Sequence, residues 1–240
     1  MSGQNAVTVQ YPTITDFAAN AVGINGKIEL IWQPLYDWNI YPVAGALALN
    51  FFSTPVGGGF SAQQIAAAAP KSIADTNLFQ AGILPAPQSF WVDGIELCID
   101  PGSSATANLF ANALPGTIPA AAAVTNEPIF LDYWLMAKSG TLVFSIMQKE
   151  YYREGPLYRF PQRSFHRTDI AITNNSATAV NAGYITPRTE GVGVRFDPGY
   201  GIATTCNFAV TLLWPAVVAL TTNNARIGCF LNGWLFRAAQ

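Results

Sequence analysis

The residues able to do chemistry are few and badly spaced for it. The only histidine is His166, set in Arg163-Ser164-Phe165-His166-Arg167. A Ser-His-Asp or Cys-His nucleophile would have to use it. The flanking arginines disfavour its protonation, and it reads as a surface or interface residue. Zinc needs closely spaced His and Cys ligands. One histidine and three scattered cysteines, Cys98, Cys206 and Cys229, do not supply them. Two carboxylate groups, Asp93, Glu96 and Asp100, then Glu127 and Asp132, would have to furnish any glycosidase pair. Asp93 and Asp100 flank turn or bulge positions, where aspartate commonly bonds the backbone. Asp197-Pro198-Gly199 is too sparse for a calcium loop. Gly57-Gly58-Gly59 lacks the lysine of a phosphate loop. No catalytic residue, metal or cofactor is expected, and the chain is read as a non-enzyme.

One segment does carry a binding chemistry. Residues 149–167 hold Lys149, Arg153, Arg159, Arg163 and Arg167 among Tyr151, Tyr152, Tyr158, Phe160 and Phe165. Arginine mixed with aromatics serves single-stranded nucleic acid, and it serves protein interfaces equally well. Glu150 and Glu154 are interleaved, which favours a subunit contact. Arg153, Tyr158, Arg159, Phe160, Arg163, His166 and Arg167 are the candidate interface residues.

Composition points the same way. Only 11% of the 240 residues are charged while 50% are hydrophobic. Soluble domains average about 25% charged. A surface this poor in charge is expected to be hidden, and a partner subunit is the obvious cover. The net charge of −2 gives no global field for nucleic acid or an anionic membrane. The N-terminal residues have no basic stretch followed by an apolar run, so no export signal is expected. The cysteines are odd in number, lie far apart and sit in apolar runs. They read as core residues of a protein assembled in a reducing cytoplasm.

The elements that must position these residues are strands. Period-two alternation recurs along the chain. Ile28, Leu30 and Trp32 share one face; Phe208, Val210, Leu212 and Trp214 share another, and Pro215 ends that run. Residues 141–147 and 191–196 alternate too. In 89–100 the apolar set slips by one residue at Asp93-Gly94, which predicts a β-bulge. Asn232-Gly233 suggests a two-residue hairpin turn between two final strands. Pro101-Gly102, Pro115-Gly116, Asn174-Asn175 and Pro198-Gly199 read as turns. The one expected helix is 61–69; the Ala-rich 120–123 reads as loop. The class is all-β, a sandwich or jelly roll.

Three segments together resemble major capsid proteins of tailless icosahedral viruses, in the jelly-roll lineage of membrane-containing phages. They are 82–95 (GILPAPQSFWVDGI), 206–215 (CNFAVTLLWP) and 225–237 (ARIGCFLNGWLFR). The first is similar to a loop-then-strand element of the first barrel, and the others to closing strands of the last. The resemblance implies a double jelly roll, two side-by-side eight-stranded barrels, divided here at 1–138 and 139–240. It implies homotrimers forming pseudo-hexagonal capsomers of a virion assembled in the host cytoplasm. Minor capsid or vertex proteins would be further partners, an internal membrane is left open, and sequence-specific nucleic acid is not expected. Two barrels leave only about fifteen residues per strand and loop, so a single jelly roll with long loops is the alternative fold. A carbohydrate-binding or adhesin-like sandwich, such as a virion spike, is the alternative function, with Trp32, Trp38 or Trp91 as stacking platforms.

Overall fold

Alternating apolar residues on short strands must find a second apolar face to cover them, and here two antiparallel sheets supply it to each other. The computed structural model describes residues 13–21, 28–60, 70–100, 126–159, 164–170, 183–189, 193–220 and 224–238. In the first sheet β1 (Ile28–Trp32) and β2 (Leu35–Tyr41) follow one another along one edge of a long final strand, β11 (Ala225–Ala238). Pro34, which has no N–H for a ladder, falls at the break between them. Then come β4 (Ser89–Asp100) and β9 (Val194–Ile202). The second sheet has the order β3 (Ala48–Phe51), β10 (Phe208–Leu213), β5 (Thr141–Ile146), β6 (Lys149–Glu154).

After β2, every connection between sandwich strands crosses to the other sheet except β5 to β6. That pair is a hairpin whose turn residue Met147 takes a positive φ of 57°. Strands from before and after residue 138 therefore lie together in both sheets, alternating in the first and with β3 at the edge of the second. They also share one core, in which Phe90, Val92, Ile95 and Leu97 of the first sheet meet Phe51, Phe144, Val210 and Leu212 of the second. Burying each such side chain contributes about 1.5–3 kcal/mol.

The expected bulge is present. β4 shifts register against β9 between Val92 and Gly94, and against β11 at Asn232/Gly233. This corrects two expected turns. Asn232-Gly233 makes no hairpin, because β11 runs straight through it. A Cβ on Gly233 would collide with the Trp91 carbonyl, so glycine is there for the opposing bulge. Pro198-Gly199 likewise lies inside β9, where 196–199 bows out opposite Asp93.

The helix expectations are incomplete. The candidate helix 61–69 and the Ala-rich 120–123 lie outside the described residues, as do the turns at 101–102, 115–116 and 174–175. Two helices arise elsewhere, α1 (Ile14–Ala21) and α2 (Asn126–Ser139). A capping box starts α1: Thr13 N–H donates to Asp16 Oδ2 at 3.0 Å, and Asp16 N–H donates to Thr13 Oγ1 at 3.2 Å. Pro128 stands in the first turn of α2, where a missing N–H goes unnoticed. β7 (Ser164–Ile170) and β8 (Gly183–Thr189) pair as a separate hairpin between β6 and β9.

Candidate functional site

The seven candidate interface residues are scattered along this framework. Arg153 is exposed on β6 and donates to Glu150 at 2.6 and 2.7 Å, and each group stabilises the charge of the other. Tyr158 lies in the short 3-10 turn Leu157–Arg159, 53% exposed, its ring 6.2 Å from that of Trp134 on α2. Arg159 shares that turn. His166 and Arg167 lie on β7, opposite Pro187 and Thr186 of β8. Phe160 and Arg163 fall outside the described residues. Only Arg153 and Tyr158 therefore have described, exposed side chains.

The outer faces of the two sheets carry more information. The first is partly covered by its own chain; Ile28, Leu30 and Trp32 of β1 stay exposed on it. Phe17 of α1 packs on Trp91 and Phe236, with ring centroids 5.5 and 5.6 Å away. The free edge of β2 is closed by residues 75–77. Trp38 N–H donates to the Asp75 carbonyl at 2.7 Å, Asn77 N–H to the Tyr36 carbonyl at 3.3 Å, and Asp37 bridges to Thr76. An edge so paired cannot recruit another strand.

Two ion pairs clasp this closure. Lys71 Nζ lies 2.7 Å from Asp37 Oδ1, both side chains 0% exposed, and Arg226 reaches Asp75 at 3.4 Å while stacking over Trp38. Burial pushes the Asp37 carboxyl up to about 6 against the pull of Lys71, and burial lowers Lys71. The cost of burying the charges thus exceeds their mutual attraction.

Among the described residues, none covers the outer face of the second sheet, which to that extent is bare. Its solvent-facing rows are Ala48–Leu213–Thr141, Asn50–Thr211–Val143–Arg153 and Ala209–Ser145–Glu150. The charges in these rows sit on β6, at the sheet's edge; the rest is uncharged and, apart from Leu213, small. At one end of the sandwich the bare face runs into an apolar rim. The loops 42–47 and 214–220 are tied there by Trp214 N–H to the Leu47 carbonyl and Leu220 N–H to the Val43 carbonyl, each 2.8 Å. The Trp214 indole donates to the Met136 carbonyl of α2 at 3.0 Å, which brings α2 to the same end. Val43, Leu47, Leu213, Val217, Trp134 and Leu135 are all exposed around it.

The residues weighed for other chemistry find structural work. Asp93, at the bulge, accepts hydrogen bonds from the side chains of Trp91 and Trp234; burial nevertheless raises its pKa. Glu96 is buried and accepts from Asn232 at 2.7 Å. Asp132 is buried, and the side chains of Asp100 and Glu127 are outside the described set. Of the three tryptophans considered as sugar platforms, Trp91 is buried, Trp38 is half-buried under Arg226, and Trp32 is 53% exposed. Only Cys229 is a core cysteine, its thiol pKa raised by burial; Cys98 and Cys206 are half-buried. Among the described residues no cluster of three His, Cys, Asp or Glu side chains could hold a metal, and no helix is long and apolar enough to cross a membrane.

The sequence pattern did not reveal the buried clasp or the bare face. Asp37 and Lys71 are 34 positions apart and have no local signature. The bare face could have been found by asking which residues alternate with the apolar ones in 141–146 and 208–213: Thr, Val, Ser, Ala and Leu, none of them charged. Comparison with family models, with curated proteins and with solved structures gives no match.

Proposed function

We propose that this chain is a structural coat subunit, a viral major capsid protein that builds an icosahedral shell from copies of itself. The observation that carries this reading is the bare second sheet. A solitary sandwich keeps its outer faces wet with charge, whereas this one offers Ala, Thr, Ser, Asn and Val beside an apolar rim. Small side chains make a flat surface on which a neighbouring subunit can pack closely. The function is mechanical: many modest contacts, each worth about 25 cal/mol per Å² of apolar area less the cost of association, close a symmetric shell. Tyr158 and Arg153, at the rim and edge of that face, are suited to anchor such contacts.

The fold that goes with this reading is the single jelly roll. It is supported by the strand orders β1/β2–β11–β4–β9 and β3–β10–β5–β6, with the chain crossing between sheets at nearly every step. With one barrel per chain, a pseudo-hexagonal tile takes twice as many chains as a double-barrel subunit would need. The trimer is replaced by a ring of that larger number.

A carbohydrate-binding module is the second reading, favoured by Trp32, whose exposed ring meets Trp234 edge-on at 5.1 Å. Electron microscopy and native mass of the purified chain separate the two. Rings or shells support the coat reading. A monomer at all concentrations that retains a glycan, and loses it on Trp32→Ala, replaces it with the second.

A further inference from the structure

A lysine is almost never fully buried, yet Lys71 is, and its amine lies against a fully buried aspartate. With Nζ 2.7 Å from Asp37 Oδ1, the amine is held against the carboxyl carbon it would attack. The other carboxyl oxygen is held differently. Asp37 Oδ2 accepts the Phe52 backbone N–H at 2.7 Å and the Asn39 side-chain amide at 3.3 Å. Two N–H donors on one carboxyl oxygen form an oxyanion hole, placed for the charge that develops when a nucleophile adds to Cγ. The Thr76 hydroxyl also bonds this carboxyl. Asp75 faces the lysine from the same segment, and Cys229 lies opposite Asp37 on β11. The Cys229 thiol is kept protonated by burial, so it does not compete as nucleophile.

Moving one proton across the 2.7 Å contact turns the ion pair into a neutral amine and a neutral acid. Burial favours this, because it penalises both charges. The pair then has the reactants, the distance and the oxyanion donors of an acyl transfer, in a site closed to water.

We propose that Lys71 and Asp37 join in an intramolecular isopeptide bond. The Lys71 Nζ lone pair adds to Asp37 Cγ, and Oδ2 takes the charge between the Phe52 N–H and the Asn39 amide. The Cγ–Oδ1 bond breaks with its electron pair. Oδ1 leaves as water, carrying its own proton and one released by Nζ as the amide forms. One N–C bond forms, one C–O bond breaks, one water is released, and no oxidant or cofactor is needed. The product replaces two buried charges with a neutral amide and staples residue 71 to β2. The bond is independent of what the molecular surface binds.

The test is mass spectrometry of the full-length chain after denaturation and proteolysis. The expected result is a branched peptide joining Lys71 to Asp37, lighter than its two parts by one water, with Lys71 inert to amine-reactive reagents. Recovery of the two linear peptides at full mass, with Lys71 reactive, overturns the proposal. So does a branch at Asn39 formed with loss of ammonia. Reading the native chain avoids any dependence on whether a Lys71 variant folds.

Discussion

Part of the outer face of the first sheet lies under α1, with Phe17 set on Trp91 and Phe236, and residues 75–77 close its β2 edge. The outer face of the second sheet has only Ala48, Asn50, Thr211, Val143 and their neighbours, and nothing described crosses it. Both sheets present the same alternating apolar side chains inward, so the core does not distinguish them. The difference lies in what alternates with those side chains. Where the chain returns to cover a sheet, the outward positions are large and aromatic: Tyr36, Trp38, Trp91, Phe230, Phe236. Where it does not return, they are small apart from Leu213. Large aromatics on a bare face would be an aggregation hazard, and charges there would resist any partner. Small uncharged residues avoid both, which is what a face closed only on assembly requires.

This contrast can be broken from the covered side first. Lys71→Met leaves the Asp37 carboxyl buried with neither counter-charge nor bond at residue 71, and a loss of at least about 3 kcal/mol is expected in denaturant melts. A loss under 1 kcal/mol would mean that the clasp does not hold the closure. Phe17→Ala strips α1 of its ring and should cost about 1–3 kcal/mol, with Trp91 emission shifting to the red as water reaches it. An unchanged spectrum would mean α1 is dispensable as a cover.

A smaller effect tests the bulge. Asp93 is raised above its ordinary value by burial, against the pull of the Trp91 and Trp234 side chains and Arg195. The folded chain therefore holds this proton more tightly than the unfolded one. The resulting stability is present below the ordinary carboxylate value and is lost as pH rises through the raised one. Tryptophan emission should titrate above 3.8, and the step should vanish in Asp93→Asn. A step that survives the substitution would assign it to another group.

Much of the inward architecture was legible in the sequence, because a period of two needs no long-range information. Leu142, Phe144 and Ile146, then Phe208, Val210, Leu212 and Trp214, are buried as their spacing indicated, and the slip at Asp93-Gly94 is a bulge. Facing was harder to read. Ile28, Leu30 and Trp32 do share a side of β1, but that side is solvent-exposed. Asn232-Gly233 misled because its glycine answers the opposing strand, a contact made across more than a hundred residues. The Thr13-x-x-Asp16 capping box marks a helix that the reading of apolar spacing missed. The clasp of Asp37 and Lys71 was not legible, since only the folded sandwich brings them together. The basic-aromatic segment 149–167 was conspicuous in composition, and its described part exposes Lys149, Glu150, Tyr151, Arg153 and Tyr158.

The bare sheet is tested most directly by placing one charge at its centre. Thr211, on β10, bonds only across the outer row, its hydroxyl 2.9 Å from Asn50 Oδ1. Thr211→Lys is expected to change stability by no more than about 0.5 kcal/mol. Sedimentation velocity of both proteins over a wide concentration range gives the answer. The account predicts closed assemblies for the wild-type chain and a folded monomer for Thr211→Lys at the same melting temperature. Wild-type chains that stay monomeric at every concentration, or a variant that assembles as well as they do, would contradict it.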